Sequence, residues 1–235
     1  MRSRDAERYD HDAAADQYDA QVADERVLIR RGYAACLRAL AEDLRQGTDL
    51  KGLATTDLGA GTGTLGAAMP TDHPLVVVDL SPQMLDRARQ KLAGRPVTFV
   101  HADLLAWVTE SDSPLGHVVS TFALHVLHPN EKTRLLGALA QRIAPGARLC
   151  IGDLGFADAT ARTAFLADPG DAVSVSEAVA RDHFWDWSVA EDTLRGLGFR
   201  VRRRTHGPLI SSLVAVRDPL PEPTDGCTSS GSTRP

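Results

Sequence analysis

This sequence has few cysteines and few aromatic residues, and it lacks both long apolar runs and an excess of positive charge. Its three cysteines, among 235 residues, have no metal-ligand or disulfide spacing, which favours a reducing compartment such as the cytoplasm. The charged N-terminus leads into no apolar segment, and no apolar run approaches the roughly 20 residues of a membrane span, so we expect neither a signal peptide nor a membrane partner. A net charge of −5 argues against nucleic acid as a partner.

The sequence does contain short apolar runs that alternate with helical patterns. Hydrophobic residues make up 43%, enough for a packed core in one α/β domain. The pattern predicts strands at 54–58, 75–79, 97–101, 117–122 and 147–153, and helices at 63–69, 82–92 and 131–143. Continuous apolar strands separated by helices are typical of a parallel sheet with both faces covered.

The flanking segments follow other patterns. Residues 1–50 are predicted to be helical, with an apolar face over about 25–44, and to form a lid ahead of a domain at 51–217. Residues 155–188 interrupt the strand–helix alternation, and we expect them to cover the substrate. The last elements are predicted to be a helix at 189–197, an antiparallel pair of strands at 199–204 and 209–216, and a disordered Pro- and Ser-rich tail at 218–235.

The most informative segment is 57–63, Asp-Leu-Gly-Ala-Gly-Thr-Gly, where the first strand meets its helix. Glycines there let the backbone turn tightly and approach a ligand closely. The N–H groups that open the next helix can bind an anionic group such as a carboxylate. We predict that Gly59, Ala60 and Gly61 contact a cofactor. A tight turn without a ligand is the alternative for this motif taken alone.

Two further acids follow the next two strands. Asp79 ends the second strand, where a carboxylate can accept both hydroxyls of a ribose, and Asp103 follows the third, where it can accept from an adenine amino group. Leu80, Met84 and Leu104 can provide apolar walls for the purine. Singly, Asp79 is also interpretable as a helix cap and Asp103 as a solvated loop residue. Together with the acid of the glycine turn they mark three consecutive strand ends, where open α/β sheets bind ligands.

Residues 61–66 also match the G-x-G-x-x-G fingerprint of dinucleotide-binding domains, and Asp79 lies near the expected distance. A nicotinamide-dependent oxidoreductase is therefore an alternative. Against it, Asp57 occupies a position that is usually apolar in that fingerprint, and the glycines already begin at Gly59. About 50 helical residues also come before the first strand, whereas dinucleotide-binding domains often begin with it.

Residues 56–156 resemble the class I methyltransferases that use S-adenosylmethionine (SAM), in particular the small bacterial methyltransferase domains. The resemblance rests on five segments in the same order, 57–63, 78–85, 102–104, 119–125 and 149–153. It implies a Rossmann-like, seven-stranded, mostly parallel sheet with helices on both faces, an antiparallel last strand and an N-terminal helical lid.

The same resemblance implies roles for single residues. The glycine turn would hold the methionine part of SAM, Asp79 the ribose and Asp103 the adenine. Ser120 or its neighbour would offer a backbone group to the methionine end. Tyr18, followed by Asp19, would close over the cofactor.

Methyl transfer requires an aligned acceptor and the removal of its proton. His125 and Asp153 follow the fourth and fifth strands and are the candidate catalytic residues. His125 would act as a general base or hold the substrate, and a histidine packed under the lid is the alternative. Relatives often have two adjacent histidines here, and Val126 takes the place of the second, so the role of that second histidine does not carry over to this chain. No spacing of ligands predicts a metal site.

The aromatic segment 183–187 is the most unusual cluster in the chain, and we expect His183 and Trp185 to bind substrate, with lid packing as the alternative. We therefore expect SAM-dependent methyl transfer to a small molecule. Three alternatives stay open: a nicotinamide-dependent oxidoreductase, a non-catalytic SAM-binding module, and an enzyme that uses SAM for other chemistry such as cyclisation.

Overall fold

The chain forms a mixed β-sheet whose central strands are parallel. The computed structural model describes residues 3–4, 15, 17–47, 50, 52–168 and 173–217. The strands are β1 (Thr55–Leu58), β2 (Leu75–Asp79), β3 (Val97–His101), β4 (Val118–Thr121), β5 (Arg148–Phe156), β6 (Trp185–Asp186), β7 (Phe199–Thr205) and β8 (Ile210–Arg217). Their order is β3-β2-β1-β4-β5-β8-β7, and the short β6 pairs with β5. The pairs that β8 makes with β5 and β7 are antiparallel and the others are parallel, which confirms the Rossmann-like sheet and adds β6 to it.

Helices connect and cover these strands. They are α1 (Tyr18–Val22), α2 (Tyr33–Arg45), α3 (Thr64–Ala67), α4 (Pro82–Lys91), α5 (Leu104–Thr109), α6 (Pro129–Arg142), α7 (Ala159–Ala167), α8 (Val173–Arg181) and α9 (Trp187–Gly196), with 3-10 turns at Leu28–Arg30 and Leu124–Val126. Local sequence sets several of their starts. Ser81 caps α4 by accepting from the Met84 N–H, and Pro82 takes the first helical position. In the described part of the chain no helix is long and apolar enough to cross a membrane.

Successive residues of the central strands pack alternately into two apolar layers, one on each face of the sheet. Leu149 and Ile151 pack with leucines of α6 and with Trp187, whereas Cys150 packs with Leu40 of α2. This alternation follows from the period of two along a strand. The helices of both layers therefore hold the strand ends in fixed positions.

The chain reverses direction across the sheet beside β1. From β1 it runs outward through β2 to β3 and then returns to β4, on the other side of β1. At such a switch point the connections leave in opposite directions and open a crevice at the carboxyl ends of the strands. The functional residues predicted from sequence lie at this crevice and at the neighbouring ends of β3 and β5.

The N-terminal part departs from the predicted helix over about 25–44. The chain forms a 3-10 turn at Leu28–Arg30, and α2 begins at Tyr33. Between them, Gly32 has φ of 101°, and a Cβ there would clash with the backbone of His206. The helix is broken because two backbone segments approach closely at this point. The short α5 was not predicted, and the predictions for residues 5–14 and 218–235 lie outside the described residues.

The arginines of β7 are tied to neighbouring helices. Arg202 and Arg204 lie on one face of the strand and donate to the two carboxylate oxygens of Asp43 on α2, at 2.7 and 3.0 Å. Arg203 points the other way and donates to Glu191 of α9 at 2.7 Å. Asp43 is 2% exposed, so this edge strand is fastened to α2 by a buried acid.

Candidate active site

Three glycines turn the chain between β1 and α3. Gly59, Gly61 and Gly63 have φ of 69°, 54° and 77°. A Cβ on Gly61 would meet only Cε1 of Tyr18, at an ordinary contact distance of 3.9 Å. The Gly61 N–H donates to Oδ2 of Asp79 at 2.7 Å. The turn therefore presents bare backbone to the crevice, opposite the carboxylate that ends β2.

Asp57, inside β1, is a buried carboxylate without a hydrogen-bond partner among the described residues. It is 1% exposed, and both of its oxygens are unsatisfied. Burial, and then the charge of Asp79, raises the pKa of Asp57 to about 7. An unpaired buried carboxylate is costly, and a cation bound nearby offsets that cost.

The residues predicted to surround a nucleoside lie together at the ends of β2 and β3. The second oxygen of Asp79 accepts from the Ser81 N–H at 2.9 Å. Leu80 is half-buried, and Met84 is 2% exposed. Leu104 lies beside the glycine turn, 3.4 Å from the position that a Cβ on Gly59 would take.

Asp103 is a buried helix cap rather than a solvated loop residue. It is 5% exposed, and its Oδ1 accepts from the Ala106 N–H of α5 at 2.8 Å. Its Oδ2 accepts from the hydroxyl of Ser3 at 2.6 Å. Ser3 therefore lies against the site predicted for the adenine.

Helix α1 packs against the glycine turn through the Tyr18-Asp19 pair. Asp19 accepts from the Thr62 hydroxyl and from the Lys91 ammonium, both at 2.6 Å. Burial raises the pKa of the Tyr18 hydroxyl, Arg30 opposes this, and the charges of Asp79 and Asp153 raise it further. Tyr18 therefore lies within electrostatic range of both Asp79 and Asp153.

At the end of β4 the chain makes a strained turn. Ser120 is 1% exposed, and its hydroxyl donates to the Leu58 carbonyl at 2.7 Å, which links β4 to β1. Phe122 has φ of 52°, which a non-glycine residue rarely adopts, and its N–H donates to the Gly152 carbonyl at 2.8 Å. Such strain is often kept at functional sites. The turn directs the next residues, including His125, toward the end of β5.

His125 and Asp153 form a hydrogen-bonded pair. Nδ1 of His125 lies 2.7 Å from Oδ1 of Asp153, and the two side chains are 14% and 0% exposed. Burial alone would raise the pKa of Asp153, but the charge and hydrogen bond of His125 and the charge of Lys132 outweigh it, so this pKa is lowered. Backbone N–H groups of Leu124 and Leu154 also donate to Asp153, at 3.0 and 2.8 Å. Asp153 is therefore an ionised anchor, and His125 is the more exposed member of the pair.

The predicted substrate-binding residues pack around this pair. Nε1 of Trp185 donates to Oδ2 of Asp153 at 3.2 Å, and Trp185 is 4% exposed. The His183 N–H donates to the His125 carbonyl at 2.7 Å, and the His183 ring lies 4.0 Å from that of His128. Trp185 thus has little surface left for a substrate, whereas His183 is half-buried.

Lys132 also belongs to the site, although no motif in the sequence indicated it. This α6 residue is 5% exposed, donates to the His183 carbonyl, and lies 4.3 Å from the centroid of the Trp185 ring. A detectable signal was its helical spacing with Leu135, Leu136 and Leu139, which puts a lysine on the apolar face of the helix. Within the described ranges no group of three or more His, Cys, Asp or Glu residues is arranged to hold a metal.

The crevice has the features that SAM requires. The bare Gly61 backbone leaves room for a ligand, the carboxylate of Asp79 suits ribose hydroxyls, and the unsatisfied oxygens of Asp57 suit a cationic ligand. SAM carries a sulfonium and an ammonium group. The residues present therefore fit this cofactor.

Comparison with known proteins agrees with this geometry. Residues 56–146 match a family model described as a methyltransferase domain. This match favours the methyltransferase interpretation over the dehydrogenase one.

Relatives and solved structures extend the comparison beyond that segment. An uncharacterized methyltransferase from Geobacillus kaustophilus is 30% identical over 63% of this chain and 63% of its own length. A carboxy-S-adenosyl-L-methionine synthase from Pseudomonas putida is 31% identical over 47% of this chain and 49% of its own. The chain therefore spans less than two thirds of either relative. The SAM-bound magnesium protoporphyrin IX methyltransferase from Synechocystis PCC 6803 has the same fold, with a TM-score of 0.60 and 20% identity over 83% of this chain and 85% of that one.

Proposed function

We propose that this protein, whose residues 56–146 form a class I SAM-dependent methyltransferase domain, transfers the methyl group of SAM to an oxygen of a small-molecule acceptor. The observation that carries the oxygen assignment is the 2.7 Å contact between Nδ1 of His125 and the buried carboxylate of Asp153. A histidine held in this way is suited to remove a proton from a hydroxyl group.

The proposed proton transfer follows from the charge on Asp153. An ionised carboxylate accepts from Nδ1, which keeps the ring proton on that nitrogen and leaves the lone pair on Nε2. Nε2 then accepts the proton of the acceptor hydroxyl while the oxygen attacks. When bound, SAM would supply a methyl group on a sulfonium; the methyl carbon would bond to the acceptor oxygen, and the electron pair of the broken carbon–sulfur bond would stay on the sulfur of S-adenosylhomocysteine. General-base catalysis of this kind contributes about 10²–10⁴-fold.

The rest of the crevice would hold the cofactor and exclude water. Gly59, Ala60 and Gly61 would bind the methionine part, with Ser120 as a neighbour, and Asp79 the ribose. Tyr18 lies over Gly61, so residues 1–50 would act as a lid. Residues 155–188 would cover the acceptor, with Phe184 edge-on to the His125 ring at 6.3 Å.

The purine would lie near Leu80, Met84 and Leu104. Asp103 would bind an adenine amino group once Ser3 moves away, because Ser3 donates to the carboxylate oxygen that does not cap α5. The spacing of the cysteines supports a cytoplasmic location.

Use of SAM for chemistry other than methyl transfer is a second candidate, because one relative is named as a carboxy-S-adenosyl-L-methionine synthase. The two functions differ in product. Methyl transfer gives S-adenosylhomocysteine and an acceptor heavier by one CH₂ unit. A reaction of the kind for which that relative is named gives a modified sulfonium instead.

The test is a screen of hydroxylated small molecules for S-adenosylhomocysteine release, followed by mass spectrometry and NMR of the product. We expect an O-methyl product. His125→Gln should lower kcat by about 10²–10⁴-fold without weakening SAM binding. A methylated nitrogen or carbon, or full activity in His125→Gln, would contradict the assignment.

A further inference from the structure

Lys132 occupies a position where α6 otherwise presents leucines to the core. It shares a face with Leu135, Leu136 and Leu139 and is 5% exposed. Lysine is almost never fully buried without a partner, because removing the ammonium group from water is costly. Its presence here therefore requires contacts that compensate for that cost.

Those contacts lie on residues 183–185, which we call the covering strip. The Lys132 ammonium donates to the carbonyl of His183 and lies 4.3 Å from the centroid of the Trp185 ring. An ammonium at this distance from an indole is within the range of a cation–π interaction. Lys132 thus holds both ends of the covering strip.

The covering strip in turn contacts both members of the His125–Asp153 pair. The N–H of His183 donates to the His125 carbonyl at 2.7 Å, and Nε1 of Trp185 donates to Oδ2 of Asp153 at 3.2 Å. Each residue that Lys132 holds is therefore in contact with one member of the pair.

The charges near Lys132 favour the same arrangement. Burial lowers the pKa of Lys132 to about 8, and the charge of Asp153 opposes this. The carboxylate of Glu131, the preceding residue, is turned away toward the His128 and Arg4 N–H groups. Asp153 is thus the acid whose charge Lys132 balances.

We propose that Lys132 is a positioning residue for the His125–Asp153 pair: its ammonium holds the covering strip in place and thereby maintains the hydrogen bond from Trp185 to Asp153. The role in catalysis rests on the proposed function, since it matters for methyl transfer when His125 is the base. The contacts themselves involve only residues of this chain, so they can be tested separately.

The test measures solvent exchange of the indole N–H groups by ¹H–¹⁵N NMR in the full-length protein. The chain has three tryptophans, and Trp185→Phe assigns the signal in question. In Lys132→Met the Trp185 indole should exchange at least about tenfold faster, because the strip loses its cation. In Lys132→Arg the indole should remain protected, since a guanidinium keeps both the charge and the donors. Arg134→Met, on the same helix, is the control and should leave the exchange unchanged.

Two results would overturn the proposal. One is an unchanged exchange rate for Trp185 in Lys132→Met. The other is a parallel increase for all three indoles in proportion to a lower free energy of unfolding, which indicates a structural role alone. Once an acceptor is known, Lys132→Met should lower kcat while the SAM dissociation constant stays within twofold. If no acceptor is methylated the proposed function fails, but the exchange measurement still decides the positioning role.

Discussion

Asp57 allows a quantitative test, because the burial of its carboxylate makes the free energy of unfolding depend on pH. The carboxylate is 1% exposed with both oxygens unsatisfied, and burial followed by the charge of Asp79 raises its pKa from 3.8 to about 7. Between these two values the folded protein keeps a proton that the unfolded chain has lost. The contribution of Asp57 to the free energy of unfolding therefore falls as pH rises through this window and is constant above it.

The size of the effect follows from the shift. A rise of roughly three pKa units corresponds to about 4 kcal/mol, and relaxation around the charge reduces this, so we expect about 2–4 kcal/mol. Asp57→Asn removes the titration while keeping the shape of the side chain. The stability of the wild type relative to Asp57→Asn should therefore decrease by this amount between pH 4 and pH 8.

Urea unfolding of both proteins at pH 4, 5, 6, 7 and 8 measures the difference directly. Asp86→Asn makes the same substitution at an exposed position of α4 and is the matched control. A difference between wild type and Asp57→Asn that stays constant across the series would contradict this prediction, because it would mean that Asp57 is solvated or paired with a cation.

Three other predictions concern binding and stability. If SAM binds the ionised form of Asp57, its dissociation constant should fall about tenfold from pH 6 to pH 8 in the wild type but not in Asp57→Asn, as titration calorimetry would show. Lys91→Met removes the 2.6 Å contact with Asp19 and should weaken SAM binding about two- to fivefold, a small effect because that pair is partly exposed. An unchanged affinity would mean that the pair does not hold the lid. Asp43→Asn should lower the free energy of unfolding by about 2 kcal/mol in urea titrations. This is less than the loss of a deeply buried ion pair would cause, because Arg202 and Arg204 are half-exposed. An effect below about 0.5 kcal/mol would contradict the role of Asp43 in holding β7 against α2.

Sequence patterns predicted the sheet well because its strands are continuous apolar runs with acids at their ends. Asp79 lies where that pattern places it, and it faces the glycine turn. The start of α2 was mispredicted because the apolar spacing continues across Gly32, whose conformation is set by the distant segment at His206. Long-range contacts of this kind have no local signal.

The candidate site likewise combines residues that the sequence predicts with long-range contacts that it does not. His125 and Asp153 were predicted as separate candidates, but their contact depends on the strained turn at Phe122, which no sequence pattern indicates. Trp185 was expected to face a substrate, and its hydrogen bond to Asp153 became evident from the fold alone. Lys132 had a visible signal in its helical spacing, but spacing does not identify the partners that make a buried charge tolerable.

The proposed function requires that SAM binds in the crevice beside β1 and β2. Titration calorimetry of the purified protein with SAM, S-adenosylhomocysteine and NADH, repeated on Asp79→Ala, measures this binding. We predict micromolar binding of SAM and S-adenosylhomocysteine, a loss of at least about 100-fold in the variant, and no binding of NADH. Binding of NADH alone, or SAM binding that is unchanged in Asp79→Ala, would rule out a SAM site at this crevice.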